Sequence, residues 1–132
     1  MSVIYTEKHT ISNLVKAEFW AEHGWCREAV TVNVATETDL SVGSVLGKVT
    51  ATGKYVPRDP AAVDGSEVAA AVVYENKSVA ATTDTLVEVL VDGPVLLAKQ
   101  ALVFDVTHDA GQQDTAISEL QALGMKFKEQ LV

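Results

Sequence analysis

Cysteine, aromatic residues and positive charge are all scarce in this chain, and each shortage closes off some kinds of function. Cys26 is the single cysteine, so no intramolecular disulfide forms and the redox compartment is left open. Aromatic residues make up only 6 % of the chain, with Ala, Val and Thr dominating instead. That balance is ordinary for a globular domain and leans towards one that hides part of its surface in partners. Ten Lys and Arg face eighteen Asp and Glu, a net charge of −8 with no basic cluster, which argues against nucleic acid as a partner. No apolar run approaches the roughly 20 residues of a membrane span, and Met1 to Lys8 lacks the basic start and apolar core of a secretory signal. The expectation is a chain kept in the cytoplasm until something carries it elsewhere.

What is present points to one domain over residues 1–132, long enough for a core without metal or disulfide staples. Its organising stretch is Gly43 to Pro60, where β-branched residues lie between Gly43, Gly47 and Gly53 and stop at Pro57 and Pro60. This reads as a strand that bends at its glycines, followed by a fixed loop. Asp64-Gly65 then gives a turn, and the apolar run from Glu67 to Tyr74 predicts a strand covered on both sides. Val30, Val32 and Val34 alternate with polar residues as a half-buried strand does. Thr36 to Val42 reads as a polar connection, and Glu75 to Ser78 as a turn. Leu86–Val91, Val95–Leu97 and Leu102–Val106 supply further strands.

One helix is expected near residues 114–123, capped by Asp114 or Thr115, with Ala116, Ile117, Leu120 and Leu123 as its apolar face and Gly124 at its end. Met125 to Lys128 alternates like a short terminal strand. Residues 11–25 fit either a helix or extended chain. The class is therefore mainly β with one C-terminal helix, an α+β domain.

Motifs for chemistry are thin. Gly43 to Lys48 superficially suggests a phosphate loop, but three residues rather than four separate its glycines, and Val follows the Lys. Cys26 with His23 and Glu28 has the residue types of a nucleophilic site, yet neighbours in an aromatic segment are more often packing groups. His9, His23 and His108 are scattered without metal-ligand spacing, so neither metal nor cofactor is expected. His108-Asp109 precedes a turn, where capping or solvent exposure is the simpler role. Asp59, Asp64 and Asp92 each border Pro or Gly and are explained by turn chemistry. Phe19, Trp20 and Trp25 are either a local anchor or a partner contact, Trp being enriched at binding hot spots.

Gly43 through Asp64-Gly65-Ser66 to Val73, then Val89 to Val95, Ala101 to Phe104, and Asp109-Ala110 with Ile117, Leu120 and Leu123 to Met125, together form a long ordered series. In that series the chain resembles the lambda-type bacteriophage head decoration proteins, over roughly residues 40 to 128. The resemblance implies a β-clip-like fold with an extended N-terminal arm, about residues 1–12, ahead of a β-rich body from about residue 29. It implies a non-enzymatic virion protein that binds the major capsid protein on the outer surface of an expanded tailed-phage capsid. Binding would be as a homotrimer at three-fold and quasi-three-fold positions, holding the shell against packaged DNA. In that family the arm adds a strand to the capsid protein's sheet, which here would employ Ser2, Val3, Ile4, Tyr5 and Thr6. Such a strand has amides and carbonyls that an exposed sheet edge completes. Residues 13–27 do not follow the family pattern. The rival reading is a small ligand- or glycan-binding accessory module of a phage particle with a pocket near the tryptophans. An enzyme comes third.

Overall fold

A computed structural model describes residues 14–18, 26–104 and 108–128. Its strands are β1 (Val15–Glu18), β2 (Arg27–Val32), β3 (Thr38–Leu40), β4 (Val45–Lys48), β5 (Tyr55–Pro57), β6 (Ala69–Val73), β7 (Lys77–Val79), β8 (Thr85–Leu90), β9 (Val95–Ala98) and β10 (Met125–Lys128). Helix α1 spans Ala110–Ala122. The fold is mainly β with a single C-terminal helix among the described residues, as the sequence pattern predicts.

Strands β2, β5, β4, β6 and β8 close into a barrel in that order. All its pairs are antiparallel except the short parallel contact of β2 with β5, Val32 opposite Tyr55. A second sheet runs β1-β9-β10. There β10 lies parallel to β9, with α1 as the crossover between them.

Two aliphatic cores result. Val30, Val32, Val34, Leu46, Ala71, Val73, Val87 and Val89 fill the barrel. Leu14, Cys26, Val72, Leu90, Val95, Leu97, Ala116, Leu120 and Met125 fill the space among barrel, helix and second sheet. Strand β6 is the wall between them: Val72 faces one core and Val73 the other, because successive side chains of a strand point to opposite faces. Its unbroken apolar run is thus a strand buried on both sides, as read from the sequence.

Five expectations need correction. The stretch from Gly43 to Pro60 is two strands rather than one bent strand and a loop. Between β4 and β5 a tight turn closes, in which the Gly53 amide donates to the Val49 carbonyl at 2.8 Å and the Val49 amide to the Lys54 carbonyl at 2.9 Å. Gly53 sits there at φ +70°, while the Thr and Ala of residues 50–52 give no break in composition to mark the turn.

The segments read as a polar connection (36–42) and a turn (75–78) instead contain β3 and β7, which pair with Thr38 opposite Val79 and Leu40 opposite Lys77. Three-residue strands are too short to show a period, and their partners lie far apart in sequence. Leu102–Val106 is not a strand where it is described. A 3-10 turn at Lys99–Ala101 leads to one bridge, Val103 with Ser44. Asp105 and Val106 lie outside the described residues.

The helix starts a turn before residue 114. Asp109 is its cap, accepting from the Gln112 amide at 2.8 Å while the Gln112 side chain accepts from the Asp109 amide at 2.9 Å. This reciprocal pair satisfies two end groups and outweighs the cost of Gly111 in the first turn. Ala116 and Leu120 are fully buried, and Gly124 ends the helix at φ +103°.

Candidate functional site

The residues singled out from the sequence fall into two groups. Ser2, Val3, Ile4, Tyr5 and Thr6 of the arm, and Phe19, Trp20 and Trp25, lie outside the described residues. What the structure does show is how the chain is fastened on either side of them. Leu14 is completely buried in the core between helix and second sheet, and β1 follows it, pairing with β9.

After β1 the chain leaves the sheet at Glu18 and re-enters the barrel at Arg27, and these two side chains meet. The Arg27 Nε donates to Glu18 Oε2 at 3.0 Å and its guanidinium to Glu88 Oε1 at 3.4 Å. Tyr74 donates its hydroxyl to Glu18 Oε1 at 3.1 Å, and the guanidinium stacks over the Tyr74 ring at 4.9 Å. Burial pushes the Tyr74 hydroxyl above its ordinary range, and the Glu18 carboxylate adds to the push. Burial works to lower the Arg27 value, but the charges of Glu18 and Tyr74 and the hydrogen bonds to Glu18 and Glu88 together outweigh it and the guanidinium is raised. The result is a charged clasp that joins β1 to barrel strands β2 and β8, with the Glu18 side chain only 3 % exposed.

The glycine and proline positions are described: Gly47, Pro57, Pro60 and Gly65 lie at one corner around the 57–66 loop, Gly53 lies in the β4–β5 turn, and Gly43 lies against Ala101. Gly43, Gly53 and Gly65 have positive φ; Gly47 does not. Gly47 is required for space instead, since a Cβ there would stand 2.1 Å from the Ser66 carbonyl oxygen. Pro57 ends β5 opposite Leu46. Pro60 occupies a turn closed by the Ala62 amide on the Asp59 carbonyl at 3.0 Å. Asp59 Oδ1 accepts from the Ala61 amide, Asp64 Oδ1 from the Ser66 amide and hydroxyl, and Glu67 Oε1 from the Gly65 amide. The Ser66 hydrogen bonds hold the Asp64 carboxyl below the usual carboxylate range. The turn role read for Asp59 and Asp64 is what these contacts show.

Two features of this corner had no signal in the sequence. Arg58 is buried at 5 % exposure, its Nε 3.5 Å from Glu119 Oε1 and its guanidinium donating to the Gln112 carbonyl at 3.3 Å. A lone arginine between two prolines reads as solvated; the helix that receives it is more than fifty residues away. Beside it lies an open groove of about 520 Å³ lined by residues including Val34, Thr36, Val56, Pro57, Arg58 and Asp64. At the tip of the loop Val63 is 97 % exposed, and Val68 at its end is 46 % exposed.

Of the chemical candidates, His9 and His23 lie outside the described residues. Cys26 is completely buried, and its thiol donates to the Pro94 carbonyl at 3.6 Å, a packing role. His108 is buried with its ring 5.2 Å from that of Phe104, rather than solvent-exposed. Asp109 caps the helix. Among the described residues no group of three His, Cys, Asp or Glu is placed to hold a metal ion.

Fold and surface thus define a small β-rich module whose 59–67 loop is held by its own hydrogen bonds. The model of the family described as bacteriophage lambda head decoration protein D matches residues 4–125. The chain belongs to that family, which is a structural phage capsid protein and places it on the phage head. No curated protein matches it.

Proposed function

We propose that this chain binds the outer surface of an expanded tailed-phage capsid as homotrimers at the three-fold and quasi-three-fold positions, without enzymatic activity, and stabilises the shell against packaged DNA. The observation that carries the reading is the family match, which spans almost the whole chain, residues 4–125. The partner is the major capsid protein, met after assembly of both proteins in the host cytoplasm.

In this reading the arm docks by strand addition through Ser2, Val3, Ile4, Tyr5 and Thr6. Leu14 supports the division of labour: a side chain completely buried in the body fixes the point before which an arm has to end. Each added strand hydrogen bond nets about 0.5–1.5 kcal/mol, less the entropy of ordering the segment. Several copies per trimer then bind by avidity without one strong site.

The test is to mix the protein with expanded, undecorated capsids and image them. Density for trimers at the three-fold positions is the expected result; monomers or dimers there refute it. Deleting residues 2–10 should leave the melting temperature unchanged and greatly weaken attachment. A truncated chain that binds as tightly as the full one shows that the arm is not the anchor.

A further inference from the structure

The outer face of the β1-β9-β10 sheet carries exposed lysines. Along β10, Met125 is buried and Phe127 packs against the core, so Lys126 and Lys128 project from the opposite face and are exposed. Leu96 of β9, half-buried, is the register partner of Lys126, and Lys99 follows the end of β9. None of these three lysines forms an ion pair among the described residues. Lys126 and Lys128 beside Leu96 thus give this face a basic edge on a chain of net charge −8.

The loop between β5 and β6 carries the complementary pattern. Val63 and Val68 are exposed there, with Asp59, Asp64 and Glu67 around them, while the one basic residue of the loop, Arg58, is turned inward and buried. Helix α1 and the core that it shares with the second sheet lie between the two patches, so one molecule cannot bring its own together. A two-fold contact through the sheet face would set lysine on lysine. A head-to-tail contact sets lysine on carboxylate, and head-to-tail contacts close into rings.

We infer that the β1-β9-β10 face of one copy, through Leu96, Lys126 and Lys128, docks on the 59–68 loop of a second copy, through Val63, Val68 and their acidic neighbours. This rests on the homotrimer reading and supplies its contact. Asp59, Asp64 and Glu67 each commit one oxygen to the loop's own amides, so the loop is held in shape before it meets a neighbour. Little ordering is then needed on association. Val63, at 97 % exposure, gains the most from being covered.

The test mixes isotopically light and heavy full-length protein on expanded capsids and joins touching lysines and carboxylates with a zero-length carbodiimide. Mass spectrometry should find light-to-heavy links from Lys126 or Lys128 to Asp59, Asp64 or Glu67. The double variant Lys126→Glu/Lys128→Glu should lose trimer occupancy at least about tenfold, since like charges across a contact oppose it strongly. Val63→Asp alone should lower occupancy as well, because it puts a charge where the contact covers an apolar side chain, at a position that supports no other residue of its own copy. Trimers whose links map elsewhere, or a double variant that assembles normally, overturn this contact and leave the capsid role standing. If the unaltered protein occupies the capsid without trimers, the homotrimer reading and this contact fall together.

Discussion

The two cores of this domain are built by different rules. The barrel core is made of Val, Leu and Ala from strands that alternate inward and outward, closed on itself by neighbour-to-neighbour pairing. The second core is assembled from remote pieces: Leu14 before the first strand, Cys26 at the entrance to β2, Leu120 of the helix and Met125 of the last strand. The first is a repeated local pattern, and the second exists only once the chain has folded back on itself. They are nevertheless one structure, because β6 gives Val72 to one and Val73 to the other.

That shared wall supplies the largest expected effect. Leu46→Ala in the barrel and Leu120→Ala in the helix both truncate side chains with no exposed surface, and each should cost about 2–5 kcal/mol. If β6 couples the cores, either change lowers the midpoint of a single denaturant transition seen alike by far-ultraviolet dichroism and by hydrogen exchange of β8 amides. Two separate transitions in the Leu120→Ala protein would show that the barrel stands without its neighbour.

The clasp between the halves comes next. Arg27→Met strands the carboxylate of Glu18, whose side chain is only 3 % exposed, and should cost about 3 kcal/mol. The double variant Arg27→Met/Glu18→Gln should recover part of the loss, measured by chemical denaturation. No recovery would mean that Arg27 acts through packing alone.

A smaller contrast sets Gly47 at the corner against Gly53 in the β4–β5 turn. Gly47→Ala forces a methyl group against the Ser66 backbone, an overpacking cost of about 1–3 kcal/mol. Gly53→Ala meets open space, with only the end of the Lys48 side chain at 4.0 Å, and pays for its φ of +70°, about 1 kcal/mol. Equal losses of thermal stability in the two would contradict the difference in cause.

The smallest effect concerns pH. Asp64 has a folded-state pKa lowered by its Ser66 hydrogen bonds. A lowered carboxyl contributes stability above its unfolded value of about 3.9, and that contribution is lost as pH falls through the folded value. Asp64→Asn should therefore lower stability slightly at neutral pH and flatten the acid limb of the stability profile below about pH 4, where the two proteins converge. An unaltered acid limb would remove Asp64 from the account.

The sequence by itself determined those features that a residue and its near neighbours settle. Val30, Val32 and Val34 announce a half-buried strand, and the unbroken run through Ala69–Val73 announces a wall buried on both sides. Leu120 and Gly124 mark a helix and its end, and the ordered glycines and prolines mark the family. Tertiary structure alone decided the rest. Whether Thr38–Leu40 is a connection or a strand depends on Lys77–Val79 arriving beside it. Arg58 is buried because Gln112 and Glu119 come to meet it. Glu18 and Arg27 form a clasp because β1 joins the second sheet while β2 joins the barrel. The physical reason is common to all three. Periodicity records which face of a local element is covered, whereas pairing, charge burial and close approach depend on groups distant in sequence, whose arrival the local pattern does not encode.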